Sequence, residues 1–349
     1  MLRRMHPIAK NVLLTVVKFA IPLIIVGYLY ANIPPEKWEK LVNQPKNYGL
    51  LTLALAVALG SVCVSFTRWC LLVRCQRIEL PMIEAFRLGS IGFLLNFVSV
   101  GAVGGDLFKA IFLARRYPKR KFEAVGSVLV DRAVGLFGLV LLVAATLIVA
   151  PPQVGQQATE NLQQIQLGTI VLLVGGISTL LFLVLGGRSV DRLIAMLSKL
   201  RVVGPFIGRI GSPLRMFHRH PVALFVSIVM SVCIHCGFTS SMYLIARGLY
   251  ADSPTLAEHF IIVPIGLLAS ALPITPAGLG VFEGTVDWLY NNIPASPTLA
   301  SGMMVALVFE IVKVIVAMIG TIFYWTAGDE VRDTLDDASH EAVPERPAA

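Results

Sequence analysis

The chain has 349 residues, 56% hydrophobic and 14% charged, against about 25% charged in an average soluble domain, and its mean hydropathy is +0.76. A water-exposed globule, a disordered chain, a collagen-like fibre and a secreted disulfide scaffold are excluded. The formal charge of +8 sits in a few loops between apolar stretches, so positive-inside topology accounts for it better than nucleic acid does.

In chain order the apolar stretches fall at 11–31, 49–73, 88–105, 124–150, 167–187, 221–247, 258–281 and 298–327. About 20 apolar residues cross roughly 30 Å of hydrocarbon, and unpaired backbone is too costly there, so the stretches must be helical. The first follows Arg3 and Arg4, exceeds a signal-peptide core and lacks a small-residue cleavage site, which makes it a retained span. Lys and Arg number three before residue 11, three in 32–48, three in 74–87, six in 106–123 and seven in 188–220, with none in 151–166, 248–257 or 283–297. Segment 88–105 is therefore basic at both ends and 258–281 at neither, so each is expected to enter and leave on one face, from opposite sides.

The fold expected is an all-α polytopic membrane protein with about six full transmembrane helices, two re-entrant broken helices and both termini cytoplasmic. Only loop 32–48, where Glu36 and Glu39 offset Lys37, Lys40 and Lys46, runs against the rule. The transmembrane domain spans 1–327. Within loop 188–220, Leu193, Ile194, Leu197 and Leu200 recur at helical spacing opposite Arg192, Lys199 and Arg201, the pattern of an interfacial helix on anionic headgroups. Residues 328–349 are too polar to bury a core and read as a disordered tail.

The five cysteines, Cys63, Cys70, Cys75, Cys233 and Cys236, read as small buried thiols; in an apolar helix Cys233-x-x-Cys236 beside His235 places two small residues on one face. No DxD, HExxH or nucleophile-elbow pattern appears in the spans, which weakens an enzymatic reading.

The two broken segments share a pattern. The first runs Asn96-Phe-Val-Ser-Val-Gly101-Ala-Val-Gly104-Gly105-Asp106-Leu-Phe-Lys109, the second Pro273-Ile-Thr275-Pro276-Ala-Gly278-Leu-Gly280-Val-Phe-Glu283-Gly284. Each is a helix-breaking, glycine-rich stretch ending in a carboxylate, followed by a long apolar span with charge inside it. Asp131 and Arg132 begin 25 residues beyond Asp106, and Glu310 with Lys313 begins 27 beyond Glu283. That is a degenerate internal repeat with the inverted-repeat logic of transporters, in which broken helices line a substrate site. For the glycines alone, close helix packing or simple turns is the competing account.

Glu310 and Lys313 lie one turn apart in the middle of their span, where an unpaired charge costs about 2.5–3.5 kcal/mol. They must face the protein interior, as an ion pair locking helix packing or as a headgroup or proton site. Asp131 and Arg132 are shallower and fit either interfacial snorkelling or a role beside Asp106. Asp106 with Lys109 fits either a helix N-cap with a solvated lysine or a reader of a phosphate or zwitterionic headgroup. Arg115, Arg116, Lys119, Arg120 and Lys121 read mostly as a positive-inside tether.

On these residues the chain resembles the lysylphosphatidylglycerol synthase transmembrane-region family, over nearly the whole membrane region. The first signature is similar to Gly104-Gly105-Asp106 with Lys109, then Ser127-x-x-x-Asp131-Arg132; the second is similar to Pro273-x-x-Pro276-x-Gly278-x-Gly280-x-x-Glu283. Ser99 and Val100 stand where the family tends to have proline, Lys109 where it often has arginine, and Ala277 where glycine is usual. Lysine keeps the charge but loses bidentate phosphate recognition.

The resemblance implies a flippase-like membrane domain moving phospholipid or polyprenyl lipid, with no aminoacyl-transferase domain expected after residue 327. The substrate-binding residues expected are Gly104, Gly105, Asp106, Lys109, Asp131, Arg132, Pro273, Pro276, Gly278, Gly280, Glu283, Glu310 and Lys313. No catalytic residue, metal or cofactor is expected. Partners are membrane lipids, anionic headgroups at the basic cytoplasmic loops, and a second copy of the chain or a partner synthase. The competing readings are a membrane enzyme of lipid-linked glycan assembly and a non-catalytic membrane subunit. The location expected is the inner or plasma membrane.

Overall fold

Apolar runs longer than the bilayer is thick fold as single uninterrupted helices, because in hydrocarbon each backbone amide must bond within its own segment. The computed structural model describes residues 42–96, 104–149, 166–178, 219–271, 280–294 and 296–325, with the isolated positions 39, 163 and 196. The described elements are α1 (Tyr48–Cys75), α2 (Met82–Asn96), α3 (Gly104–Arg116), a 3-10 turn (Pro118–Arg120), α4 (Lys121–Val149), α5 (Gln166–Ser178), α6 (Pro221–Leu249), α7 (Leu256–Ser270), α8 (Val281–Asn292) and α9 (Gly302–Trp325). No strand occurs among the described residues.

Helices α1, α4, α6 and α9 are each long and apolar enough to cross a membrane. Large apolar side chains point outward along them, Ile148 at 78% exposure and Val149 at 83% among them, which is tolerable only where the solvent is lipid. The chain is an all-α multi-pass membrane protein. Of the other expected full spans, 11–31 lies outside the described residues and 167–187 is described only as far as α5. The interfacial helix of 188–220 and the tail 328–349 also lie outside them, apart from the isolated position 196 and residues 219 and 220.

Both expected re-entrant segments are helical hairpins. Glu84 at the start of α2 pairs with Arg116 at the end of α3, 3.4 Å away, so the first hairpin leaves on the side it entered. At the start of α7 His259 Nε2 lies 2.6 Å from the hydroxyl of Tyr290 at the end of α8, which closes the second in the same way. The first opens at the basic end of the bundle, where an Arg120 guanidinium nitrogen donates to Gln76 O at 2.8 Å and ties the end of α1 to the start of α4. The second opens at the other end: Asn47 N, just before α1, donates to Gly248 O near the end of α6, and Gly302 at the start of α9 packs on Asp287 and Tyr290 of α8.

The order long helix, hairpin, long helix thus occurs twice and inverted, as α1 to α4 and α6 to α9. Helix α1 packs antiparallel on its counterpart α6, with Ser241 Oγ donating to Ala54 O at 2.8 Å. The halves also interlock, since α9 packs on the first hairpin's α2 and α4 on the second hairpin's α7. The first hairpin is longer than its apolar window of 88–105, because α2 and α3 run on through Glu84, Arg87, Arg115 and Arg116 to the basic surface.

Close backbone approach sets where helices touch. A Cβ on Gly105 would run into the carbonyl of Gly92, and one on Gly320 into that of Ser90, so α3 on α2 and α9 on α2 have no room for a side chain. This is the small-residue packing that helices use where no hydrophobic effect draws them together. The cysteines are only partly as expected: Cys70 and Cys75 are buried, but Cys63 and Cys233 are exposed on helix faces and Cys236 is half-buried.

Gly105→Ala should therefore lower stability by about 1–3 kcal/mol, the usual cost of overpacking, because the atom it meets is backbone. Gly60→Ala, where nothing lies within 4 Å, should leave the thermal unfolding midpoint of the detergent-purified protein unchanged or slightly raised.

Candidate functional site

The second helix of each hairpin carries its carboxylate in its first turn, and each carboxylate meets side chains from the long helix that follows. In the first hairpin, Gly105 N donates to Asn96 Oδ1 at 2.8 Å, which joins the two helices beside the break. One turn on, Lys109 Nζ lies 2.9 Å from Asp106 Oδ1, and Arg132 Nε of α4 pairs with Asp106 Oδ2. The Lys109 ammonium stands 5.0 Å from the centre of the Trp69 ring of α1, a cation–π contact that holds it inside the bundle. Lys109 is therefore not a solvated lysine behind an N-cap, since its side chain is only 14% exposed. Arg132 is different, at 47%. Two cations flank this one carboxylate.

In the second hairpin Gly280 has φ +86°, a left-handed conformation open to glycine, and its N–H donates to Glu283 Oε2 at 2.6 Å. That turn aims the Glu283 side chain back over the start of α8, where the residue is fully buried. From α9, Lys313 Nζ lies 2.6 Å from Glu310 Oε1 and 5.3 Å from the centre of the Phe282 ring. Glu310 and Lys313 lie close enough for their charges to act on Glu283, on a helix that packs on α8 through Phe309 and Phe282. The remaining oxygens, Glu283 Oε1 and Glu310 Oε2, are buried with no hydrogen-bond partner. Two carboxyl groups lie near one ammonium, which pairs with Glu310, so these three groups carry one net negative charge if all are ionised.

Asp131 does not join Asp106. Successive residues on a helix point about 100° apart, and while Arg132 turns to the first hairpin, Asp131 turns to α1, where Arg68 Nε lies 2.9 Å from its Oδ1. Arg68 Nη1 also donates to Ser231 Oγ of α6 at 3.0 Å, Ser231 Oγ donates to Gly135 O at 3.3 Å, and His235 Nε2 sits 3.0 Å from the same carbonyl. This balanced pair ties α1, α4 and α6 together. Sequence reasoning overlooked Arg68 because, about two turns from the end of α1, it reads as a snorkelling residue; its position inside a 28-residue apolar helix was the available signal.

Of the expected site residues, the structure groups Gly104, Gly105, Asp106, Lys109 and Arg132 at the first hairpin, and Gly280, Glu283, Glu310 and Lys313 at the second. Pro273, Pro276 and Gly278 lie outside the described residues, as do both hairpin tips, 97–103 and 272–279. The described parts of the two hairpins are joined through α9, which packs on α2 and on α8.

The family model of the lysylphosphatidylglycerol synthase TM region matches residues 15–320, a range that takes in both hairpins and all three charge clusters. The chain belongs to this family. No curated protein sequence is significantly similar to it. As a member of the lysylphosphatidylglycerol synthase TM region family, the chain presents the two signatures as matching halves of an inverted repeat, with Asp106 and Glu283 at equivalent places in α3 and α8.

The Arg68–Asp131 pair is a structural tie, and a double-mutant cycle tests it. Arg68→Met or Asp131→Leu alone should destabilise by about 3–5 kcal/mol, because each leaves one buried charge uncompensated. The double variant should recover most of the loss in thermal unfolding of the detergent-purified protein.

Proposed function

We propose that the chain is a flippase-like lipid transporter, moving the polar headgroup of a phospholipid or polyprenyl lipid between half-sites at the two hairpins while the hydrocarbon chains stay in the bilayer. The observation that carries this reading is the pair of hairpins entering from opposite ends, each with buried charge beside its break. Charges and broken helices inside a lipid-facing bundle mark polar pathways in transporters, and a headgroup crossing hydrocarbon needs polar partners on the way. Membership of the lysylphosphatidylglycerol synthase TM region family is compatible with such a role.

In this reading the basic end faces the cytoplasm of an inner or plasma membrane, as the positive-inside rule requires, and both termini lie on that side. The two cations beside Asp106 suit a lipid phosphate. Arg132 is the contact that a phosphate reaches first, because its side chain is half exposed while its guanidinium can form paired hydrogen bonds. Lys109, deeper and over Trp69, adds charge without that geometry. Motion of one half against the other about α9 would pass the headgroup to the second hairpin.

The test is transbilayer movement of headgroup-labelled phosphatidylglycerol, phosphatidylethanolamine and polyprenyl phosphate in liposomes holding the purified chain. The expected result is movement faster than in empty liposomes, favouring the anionic lipids. Arg132→Ala should slow it roughly tenfold, which corresponds to about 1.4 kcal/mol, near the lower end for a hydrogen bond to a charged group. Leu53→Ala, on a lipid-facing position of α1, should not. No movement above empty liposomes with any of the three lipids overturns the reading.

A further inference from the structure

We propose that Glu283, Glu310 and Lys313 form a proton-binding site that holds one proton between the two carboxyl groups, and that exchange of this proton drives headgroup movement. The second clause rests on the translocation reading; the first does not. Three ionisable side chains lie where α8 packs on α9 through Phe282 and Phe309, and the ammonium is already committed to Glu310 Oε1 at 2.6 Å. Glu283 is fully buried and Glu310 is 5% exposed, and each keeps one oxygen that nothing in the protein satisfies. Two ionised carboxylates against one lysine would leave a net charge in hydrocarbon, unlike the balanced Arg68–Asp131 pair. One proton removes that charge and turns one of the two orphaned acceptors into a donor, the arrangement that close carboxyl pairs adopt.

Among the described residues the surroundings offer no other neutralising group. On α8, Asp287 is held by Met303 N at 2.9 Å and by Ser301 Oγ at 3.3 Å. On α7, His259 is engaged at the mouth of the hairpin by Thr255 O and Tyr290. The titratable groups of α1 and α6 that enter the bundle, Arg68 and His235, are turned to Asp131 and to Gly135 of α4. On α2, Glu84 and Arg87 lie near its start, at the basic end. What α6, α1 and α2 bring toward α9 at this level is aromatic and aliphatic: Phe238 packs on Phe309, while Phe66 and Phe93 lie with Val316.

The cluster is also the equivalent, in the inverted half, of Asp106 with its two cations. The first half holds two cations and the second two carboxyl groups, so an anionic headgroup suits the first and a proton the second. A proton gradient would then bias the exchange.

Infrared difference spectroscopy of the lipid-reconstituted chain reads the proton directly, through the carbonyl stretch of a protonated carboxyl and its shift in heavy water. The wild type should show this band at neutral pH. Glu283→Gln and Glu310→Gln should each remove it, because each leaves one carboxylate balanced by Lys313. Lys313→Met should raise it to roughly twice the wild-type area, since both acids must then be neutral. Glu283→Gln keeps an acceptor for Gly280 N, so it reports even if Glu310→Gln misfolds. Absence of the band in the wild type, or its persistence in both glutamine variants, overturns the site.

The same proteoliposomes, given a pH gradient and labelled lipid, test the coupling. Lipid movement that responds to the gradient in the wild type and not in Glu283→Gln supports it. Movement indifferent to the gradient overturns the coupling and leaves translocation standing. A band that behaves as expected with no lipid movement overturns translocation, and the coupling with it, and leaves the proton site standing.

Discussion

An ionised side chain in hydrocarbon is stable only beside a partner that cancels its charge, and this bundle uses that requirement to tie together helices far apart in sequence. Arg68, Asp131 and Ser231 join α1, α4 and α6; Asp106 and Arg132 join α3 to α4; Glu310, Lys313 and Glu283 bring α9 onto α8. Dispersion contacts between lipid-like side chains do little to tell one helix partner from another, because lipid tails compete for the same surfaces. The buried charges and the glycine contacts select the neighbours.

The three clusters are not equivalent. The Arg68 pair is balanced and packed between long helices, so it fits a tie that persists through conformational change. The other two stand at the hairpins and differ in make-up. One holds two cations with one carboxylate and the other two carboxyl groups with one ammonium, on opposite halves of the inverted repeat. A headgroup phosphate suits the first and a proton the second, which is how the proposed translocation and its driving force follow from one count of cations and carboxyl groups.

The interlocking of halves gives this count a mechanical context. Because α9 packs on the first hairpin while carrying the charges of the second, a shift of α9 alters both surroundings together. The tight backbone approaches of Gly320 to Ser90 and of Gly105 to Gly92 make such a shift a movement of whole elements rather than of single side chains, since there is no side chain between them to rearrange.

The sequence by itself determined the all-helical membrane class, the two hairpins and their opposite entry, because hydrocarbon thickness, helix-breaking glycines and the distribution of Lys and Arg are properties of the chain read in one dimension. It also determined that Glu310 and Lys313 face inward, since a charge in mid-span has no other stable place. It could not separate Asp131 from Arg132, which differ by one step around a helix and so belong to different neighbours, nor recognise Arg68 as the partner of Asp131 across 63 residues. It ended both hairpins too soon, at 105 and at 281, because polar residues that continue a helix to the surface carry no apolar signal. The tertiary structure alone decided which helices touch, and with it that one carboxylate meets two cations while two others lie near one. Net charge at a site is a property of neighbours in space, and the spacing of residues along the chain does not contain it.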